Sequence, residues 1–352
     1  MKKAGIITFL HNDNFGSALQ AYALQRVVRE LGLDCEHIDY QPDRNEKIRN
    51  LLTSGNSPRL ILDGLRKKKV RAEQAGARGK SKAIPAFYAR EMRLSPVCRN
   101  RAELRKAAGR YDLLLCGSDQ IWNPVWMNPA YFLDFAVEGQ PRIAYAASLG
   151  VKELNHPKKE NMLRKLTEGF QAVSVREEEG AELLYRITGN KPEVMPDPVC
   201  LLTPEEWMEP ETRARKGFIP EGEPYVLCYF IGNQPSYWER VEALRKETGY
   251  RVLVLPVTAK SYQSGRTLLD GAGPAEFLTA VRHAGVFCTD SFHGLVFGTL
   301  FGVRTVPLRR YREDDPESKN SRVDHFLRTV QTTGPDALRA EGRRWLRERL
   351  MP

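Results

Sequence analysis

Short apolar, β-favouring runs alternate along this chain with stretches whose apolar residues recur at helical spacing. The first run, residues 4–10, is followed by the polar loop 11–17 and then by a helical pattern over 18–31. Further strands are predicted over 35–40, 111–116, 142–148 and 170–175. A fresh set begins at 225–231 and continues with helix 237–248, strand 251–256, helix 274–283 and strand 285–289. Strand 305–308, a helix starting within 321–329 and an Arg-rich amphipathic helix over 335–350 complete the pattern. Strands alternating with helices in this way require parallel sheets built from βαβ units. Residues 203–224, between the two sets, are rich in Pro, Glu, Arg and Gly, which marks a linker. The expectation is an α/β protein of two Rossmann-like domains facing across a cleft. An N-terminal domain spans 1–203, a linker 204–224 and a C-terminal domain 225–334, and the helix of 335–352 is a candidate to pack back on the N-terminal domain.

Polar residues gather where the strands end, which is where open α/β sheets hold ligands. Within 286–298 an apolar strand delivers Thr289, Asp290 and Ser291 to the start of an apolar helix, and each of the three suits its N-cap. A helix start offers amide N–H groups and a positive dipole end to anions, and His293 falls in its first turn. The alternative is that Ser291 only caps the helix while His293 packs beneath the loop. Loop 11–17, with Asp13, Asn14 and Gly16, offers amides and a carboxylate suited to sugar hydroxyls, or else a self-satisfied Asx-turn network. Strand 111–116 ends in Gly117-Ser118-Asp119-Gln120-Ile121-Trp122-Asn123. Asp119 can act as acceptor or base, Gln120 and Asn123 as hydroxyl binders, and Trp122 as a flat surface for a sugar ring. The hydrolase elbow G-x-S-x-G is absent. Arg176 stands at the mouth of another strand-to-helix junction, where it either forks onto a carboxylate or phosphate or pairs with a neighbouring Glu.

Composition narrows the class. Hydrophobic content of 41% with 28% charged residues excludes both a disordered chain and a membrane-embedded one. The apolar start breaks off at His11, too soon for a signal peptide, and no apolar run reaches membrane-span length, so a cytoplasmic protein is expected. Six scattered cysteines without a C-x-x-C pair read as reduced core residues. The net charge of +10 points to acidic partners: nucleic acid, an anionic membrane surface or phosphorylated small molecules. Its densest part, residues 43–82 with Arg66-Lys67-Lys68-Lys69 and Arg78-Gly79-Lys80-Ser81-Lys82, reads as a solvated helical excursion, because aromatic interleaving for nucleic acid or a bilayer is missing. His11 with Asp13, or Asp290 with His293, provides too few ligands for a metal.

Taken together, these segments resemble the polysaccharide pyruvyl transferase family. The resemblance is carried by Gly5-Ile6-Ile7-Thr8-Phe9, Asn14-Phe15-Gly16-Ser17-Ala18-Leu19-Gln20-Ala21-Tyr22, the Gly117–Asn123 motif, Ile143-Ala144-Tyr145-Ala146-Ala147-Ser148-Leu149-Gly150, Ser174-Val175-Arg176-Glu177, Asp197-Pro198, Asp290-Ser291-Phe292-His293-Gly294 and Asn320-Ser321-Arg322, in that order. It implies a glycosyltransferase-B-like fold and transfer of the pyruvyl group of phosphoenolpyruvate to two hydroxyls of one sugar, giving a cyclic ketal and phosphate. By motif, Arg176 and His293 match two residues that serve phosphoenolpyruvate in relatives. The third, a later basic residue, is open among Arg304, Arg309, Arg310, Lys319 and Arg322.

The reaction these residues suit has Ser291, Asp290 and Gly294, with Lys319, Asn320 and Arg322, on the donor side. Arg176 grips an anionic group and protonated His293 delivers a proton to the methylene carbon. Asp13 or Asp119 takes the hydroxyl proton, and Asn14, Gly16, Ser118, Gln120, Trp122 and Asn123 orient the acceptor. No cofactor is expected beyond phosphoenolpyruvate as co-substrate. The expected acceptor is a sugar or glycan. A lipid-linked one at the inner face of the membrane would explain the basic surface, with peripheral membrane contact at most and no nucleic acid. A sugar-nucleotide-dependent glycosyltransferase and a non-catalytic glycan or phospho-ligand binding protein remain the alternatives.

Overall fold

The computed structural model describes residues 1–53, 82–220, 222–310 and 320–351, with side chains in the last range from 326 onward. Most of the basic segment 43–82, including Arg66–Lys69, lies outside the described residues, as do 311–319 of the charged loop.

Two parallel sheets organise the chain. The first contains β1 (Lys3–Ile7), β2 (Asp34–His37), β3 (Leu113–Cys116), β4 (Arg142–Ala147), β5 (Ala172–Val175) and β6 (Glu193–Val194), in the order β2-β1-β3-β4-β5-β6. The second contains β7 (Tyr225–Tyr229), β8 (Arg251–Leu255), β9 (Thr267–Leu268), β10 (Val286–Thr289) and β11 (Thr305–Pro307), in the order β11-β10-β7-β8-β9. Their central strands are apolar throughout, as in Leu113-Leu114-Leu115-Cys116, because helices cover both faces. The six cysteines are buried and unpaired in this packing. In each sheet the chain order reverses once, between β1 and β3 in the first and between β7 and β10 in the second. These reversals place the loops after β1, β3, β7 and β10 where a ligand is expected.

The segment 204–224, expected as a linker, begins instead with the helix Pro204–Glu211. Thr203 and Glu206 close a capping box on it, which satisfies two amides that a helix start leaves without partners. Trp207 from this helix is fully buried between the two sheets' helices. Its ring lies 5.8 Å from Tyr22 on the helix Phe15–Glu30 and 5.0 Å from Phe297 on the helix Phe292–Leu300. Phe15 extends the contact, 5.7 Å from Tyr229 and 5.3 Å from Phe277. The two halves therefore share one aromatic core beneath the site.

The last helix, Pro335–Leu350, lies along the turn Pro198–Leu201. Arg343 donates to the Leu201 carbonyl at 2.7 Å and pairs with Glu30 and Glu206. The Trp345 indole donates to Glu193 at 2.7 Å. Contact is closest at Gly342, where an added Cβ would sit 2.5 Å from both Leu201 Cδ2 and the Tyr145 hydroxyl. Overpacking of this kind costs about 1–3 kcal/mol. Gly342→Ala is accordingly expected to lower the urea midpoint by that free energy, and a midpoint equal to the wild type would refute the close packing.

Candidate active site

Asp197 is the centre of the charged cluster. It follows Pro196, and its Oδ1 caps the turn Pro198–Leu201 by accepting from the Val199 amide at 3.1 Å. Its Oδ2 accepts from Arg176 Nη1 at 2.5 Å and faces His293 Nε2 at 3.4 Å. Arg176 comes from the end of β5, and His293 from the first turn of the helix Phe292–Leu300 in the other half. One carboxylate thus joins a guanidinium and an imidazole across the two sheets. Burial works to raise the Asp197 carboxyl, but His293 and Arg176 outweigh it and hold it well below the usual carboxylate range.

Arg176 is almost fully buried. Its Cζ lies 4.6 Å over the Phe292 ring, and Nε stands 3.9 Å from Glu177 Oε2, yet neither Nε nor Nη2 has a hydrogen-bond partner. Burial opposes its charge, but Asp197, Glu177 and Asp119 more than restore it, so the guanidinium stays protonated. Glu177 is committed elsewhere through Oε1, which accepts from the Ser148 hydroxyl and the Leu149 and Gly150 amides, each at 2.9 Å. A cavity of 160 Å³ adjoins Arg176, Asp197 and Phe292 and is closed by Phe326, Leu338 and Glu341.

Asp119 approaches the same cluster from β3 in the left-handed region, at φ 64°. Its Oδ2 accepts from Ser17 Oγ at 2.5 Å and its Oδ1 from the Gln120 amide at 2.8 Å. Burial raises its carboxyl, but the charges of His293 and Arg176 and these two donors leave it below the ordinary value. Gly16 lies next to Ser17 at the start of its helix and backs directly onto the imidazole. A Cβ there would stand 2.2 Å from His293 Cγ and Nδ1. Only a residue without a side chain lets the helix come this near.

Other residues expected at the site have different duties. Trp122, expected as a sugar-stacking surface, is fully buried and stacks on Phe132 at 4.9 Å, so neither face is open to a sugar. Ser118 donates to the Ala146 carbonyl, Asn123 Nδ2 to Gln120 Oε1, and Asn123 Oδ1 accepts from the Val125 amide. These three side chains are buried and tie the loop together, and Ser118 Oγ also lies 3.5 Å from Asp197 Oδ2. Asn14 Oδ1 caps its helix by accepting from Gly16 and Ser17. Asp290 accepts from the Ile231 and Gly232 amides at 2.7 Å each, from Tyr237 and from Arg310, which turns it inward to the loop after β7. Ser291 Oγ caps Gly294 N at 3.2 Å. Asp13 is exposed, and Arg304 pairs with Glu247. Lys319 lies outside the described residues, as do the side chains of Asn320 and Arg322. Asp197 and Ser17 are the site members that residue patterns had not assigned. Asp197 sits between two prolines, where the sequence suggests only a rigid crossing.

Among the described residues no group of three or more His, Cys, Asp or Glu side chains is arranged to hold a metal ion. Among them, too, no helix is long and apolar enough to cross a membrane.

Two Rossmann-like sheets whose switch points converge on one charged cluster define a glycosyltransferase-B-like fold. The chain belongs to the polysaccharide pyruvyl transferase family, whose description matches residues 14–310. That membership makes it an enzyme of phosphoenolpyruvate-dependent pyruvyl transfer to a sugar or glycan. No curated protein matches its sequence. Among solved structures it is similar to the UDP-GlcNAc 2-epimerase of Neisseria meningitidis, with TM-score 0.57, 11% identity and all of both chains covered. The UDP-GlcNAc 2-epimerase of Methanocaldococcus jannaschii is equally similar in fold, with TM-score 0.57, 13% identity and full coverage of both chains. At such identities the likeness concerns the fold alone.

Gly16→Ala pushes the imidazole off its position, and displacement on the order of 1 Å costs about 100-fold in turnover. Acceptor-dependent phosphate release is expected to fall by that factor, and a rate equal to the wild type would dissociate His293 from the reaction. Asp197 has a depressed carboxyl pKa in the fold, so its stabilisation is complete above the ordinary value of 3.8 and drains away as pH falls through the lower folded value. Asp197→Asn is expected to flatten the dependence of unfolding free energy on pH below about pH 4. An unchanged slope in urea titrations would show the pairing to be without effect.

Proposed function

We propose that Arg176 and His293 bind and protonate phosphoenolpyruvate, while the loops after β1 and β3 present the sugar diol. One observation carries this reading: a buried guanidinium with two donor atoms left unpartnered stands beside an imidazole where the two switch points meet. Buried polar groups are almost always hydrogen-bonded, and an Arg fork suits a planar carboxylate or a phosphate. Phosphoenolpyruvate supplies both.

Protonated His293 gives its proton to the methylene carbon, so positive character develops at C2. One sugar hydroxyl forms a bond to C2, the bond from C2 to the phosphate oxygen breaks, and the second hydroxyl closes the ketal. Two protons leave the diol. One replaces the proton spent by His293 and the other departs on hydrogenphosphate. Asp197 keeps Arg176 and His293 in register during these steps.

The acceptor class follows from the diol that a cyclic ketal requires. A lipid-linked glycan precursor, met at the inner face of the membrane, is supported by the net charge of +10. The test is phosphate release from phosphoenolpyruvate with a panel of glycosides that includes polyprenyl-linked sugars. Acceptor-dependent release is expected, fastest with the lipid-linked members, and His293→Ala should lower it by about 10²–10⁴-fold. Saturable binding of a nucleotide sugar, with phosphoenolpyruvate neither bound nor consumed, would overturn the reading.

A further inference from the structure

The loop after β1 holds a second titratable pair beyond the cluster around Asp197. His11 Nε2 lies 2.5 Å from Asp39 Oδ1. Asp39 is buried and further held by Gln41 Nε2 at 3.1 and 3.2 Å and, through its backbone amide, by Ser95 Oγ at 3.0 Å. Burial works to raise the Asp39 carboxyl, but His11 and Gln41 keep it below the ordinary value, so it accepts a proton bond as carboxylate. A carboxylate on Nε2 fixes the proton there and leaves the Nδ1 lone pair as the basic position. His11 itself is exposed and sits in the left-handed region at φ 59°. A non-glycine residue is rarely held in that conformation, and such outliers concentrate at working sites.

Two unpartnered polar atoms belong to neighbours of this pair and of the Asp119 network. Asn12 Nδ2 donates to Ser17 Oγ at 3.2 Å, and Ser17 in turn donates to Asp119, but the buried Asn12 Oδ1 has no partner. The Tyr88 ring is 6.2 Å from the His11 ring, and its buried hydroxyl is also unpartnered. Burial, and after it the Asp119 charge, push the Tyr88 phenol up, so it remains a hydrogen-bond donor. One donor and one acceptor, both unsatisfied, match what a pair of sugar hydroxyls offers. Asp119 itself is a poor base, because both its oxygens are engaged and its carboxyl is depressed.

We propose that His11, oriented by Asp39, is the base that takes the acceptor's hydroxyl proton, and that Asn12 and Tyr88 hold the same diol. This rests on the reading of the donor site given above. As the first hydroxyl oxygen bonds to C2, its proton passes to His11 Nδ1. The resulting imidazolium, paired with Asp39, passes that proton through solvent to the departing phosphate, which leaves as hydrogenphosphate, while the second hydroxyl's proton restores His293. Asp39 touches no reacting atom and acts as a positioning residue. Asp13 and Asp119 are thereby relieved of the base role.

The experiment compares His11→Gln, His11→Ala, Asp39→Asn, Asp39→Glu and His293→Ala with the wild type. Phosphoenolpyruvate affinity is measured by calorimetry. Phosphate release is measured with the fastest aryl hexoside of a panel, or with water as acceptor where none is faster. His11→Gln is expected to lose about 100-fold or more in kcat with phosphoenolpyruvate affinity unchanged. Exogenous imidazole should restore part of the rate in His11→Ala, and Asp39→Glu should recover more of kcat than Asp39→Asn. Turnover of His11→Gln within about threefold of the wild type would overturn the assignment, as would a parallel loss of donor affinity. If His293→Ala alone is inactive, pyruvyl transfer stands and only the base assignment falls; if neither substitution matters, both fall.

Discussion

The site depends on how a buried positive charge is kept. A guanidinium removed from water is tolerated only when a carboxylate is brought to it, and Asp197 does this for Arg176. The same oxygen faces His293, which arrives from the other sheet. Electrostatics therefore ties the two halves together at the proposed site. Everything near it is arranged to leave that carboxylate in place. Pro196 and Pro198 stiffen its backbone, the turn it caps lies under the last helix, and Arg343 fastens that helix to the same turn.

Around this hub the polar motifs at the strand ends divide into those that face the cluster and those that hold the loops. From Gly117–Asn123, Asp119 turns toward His293 and Arg176 and Ser118 Oγ reaches Asp197 Oδ2 at 3.5 Å while donating to the Ala146 carbonyl; Asn123 bonds Gln120 and the Val125 amide. Such use is what a loop at a sheet end requires, because its amides and carbonyls have lost their ladder partners and are too buried for water. Asp290 does the same for the loop after β7. A polar side chain at a strand end is thus at least as often structural glue as ligand, and type and spacing do not separate the two.

Alternation of apolar runs placed the central strands, since parallel strands buried on both faces are continuous in sequence, as in Val252-Leu253-Val254-Leu255, but the two-residue edge strands β6 and β9 are too short to show in it. The last helix is equally plain, with its Pro335 start and apolar stripe, and its bounds agree with the pattern. What the pattern hid were features made by tertiary proximity. The helix Pro204–Glu211 was concealed by prolines and charges that its capping box and Trp207 put to use. Trp122 looked like a stacking surface because an aromatic beside polar residues has no mark of burial in its type. Asp197 and His11 lie far in sequence from the partners that give them meaning, 96 and 28 positions respectively (293 − 197 and 39 − 11). Gly16, expected to help present the acceptor, instead makes room for the imidazole of His293, 277 positions away (293 − 16).

The aromatic seam through Tyr22, Trp207 and Phe297, continued by Phe15 and Phe277, makes the two halves one solid body. Pulling the halves apart would expose these rings to water. In this arrangement the loop after β1 lies against the imidazole. A ketal carbon reaches only two oxygens set at the proper angle to one another. A site kept at that spacing would choose among sugars by the relative stereochemistry of two hydroxyls, without the protein closing around the ring.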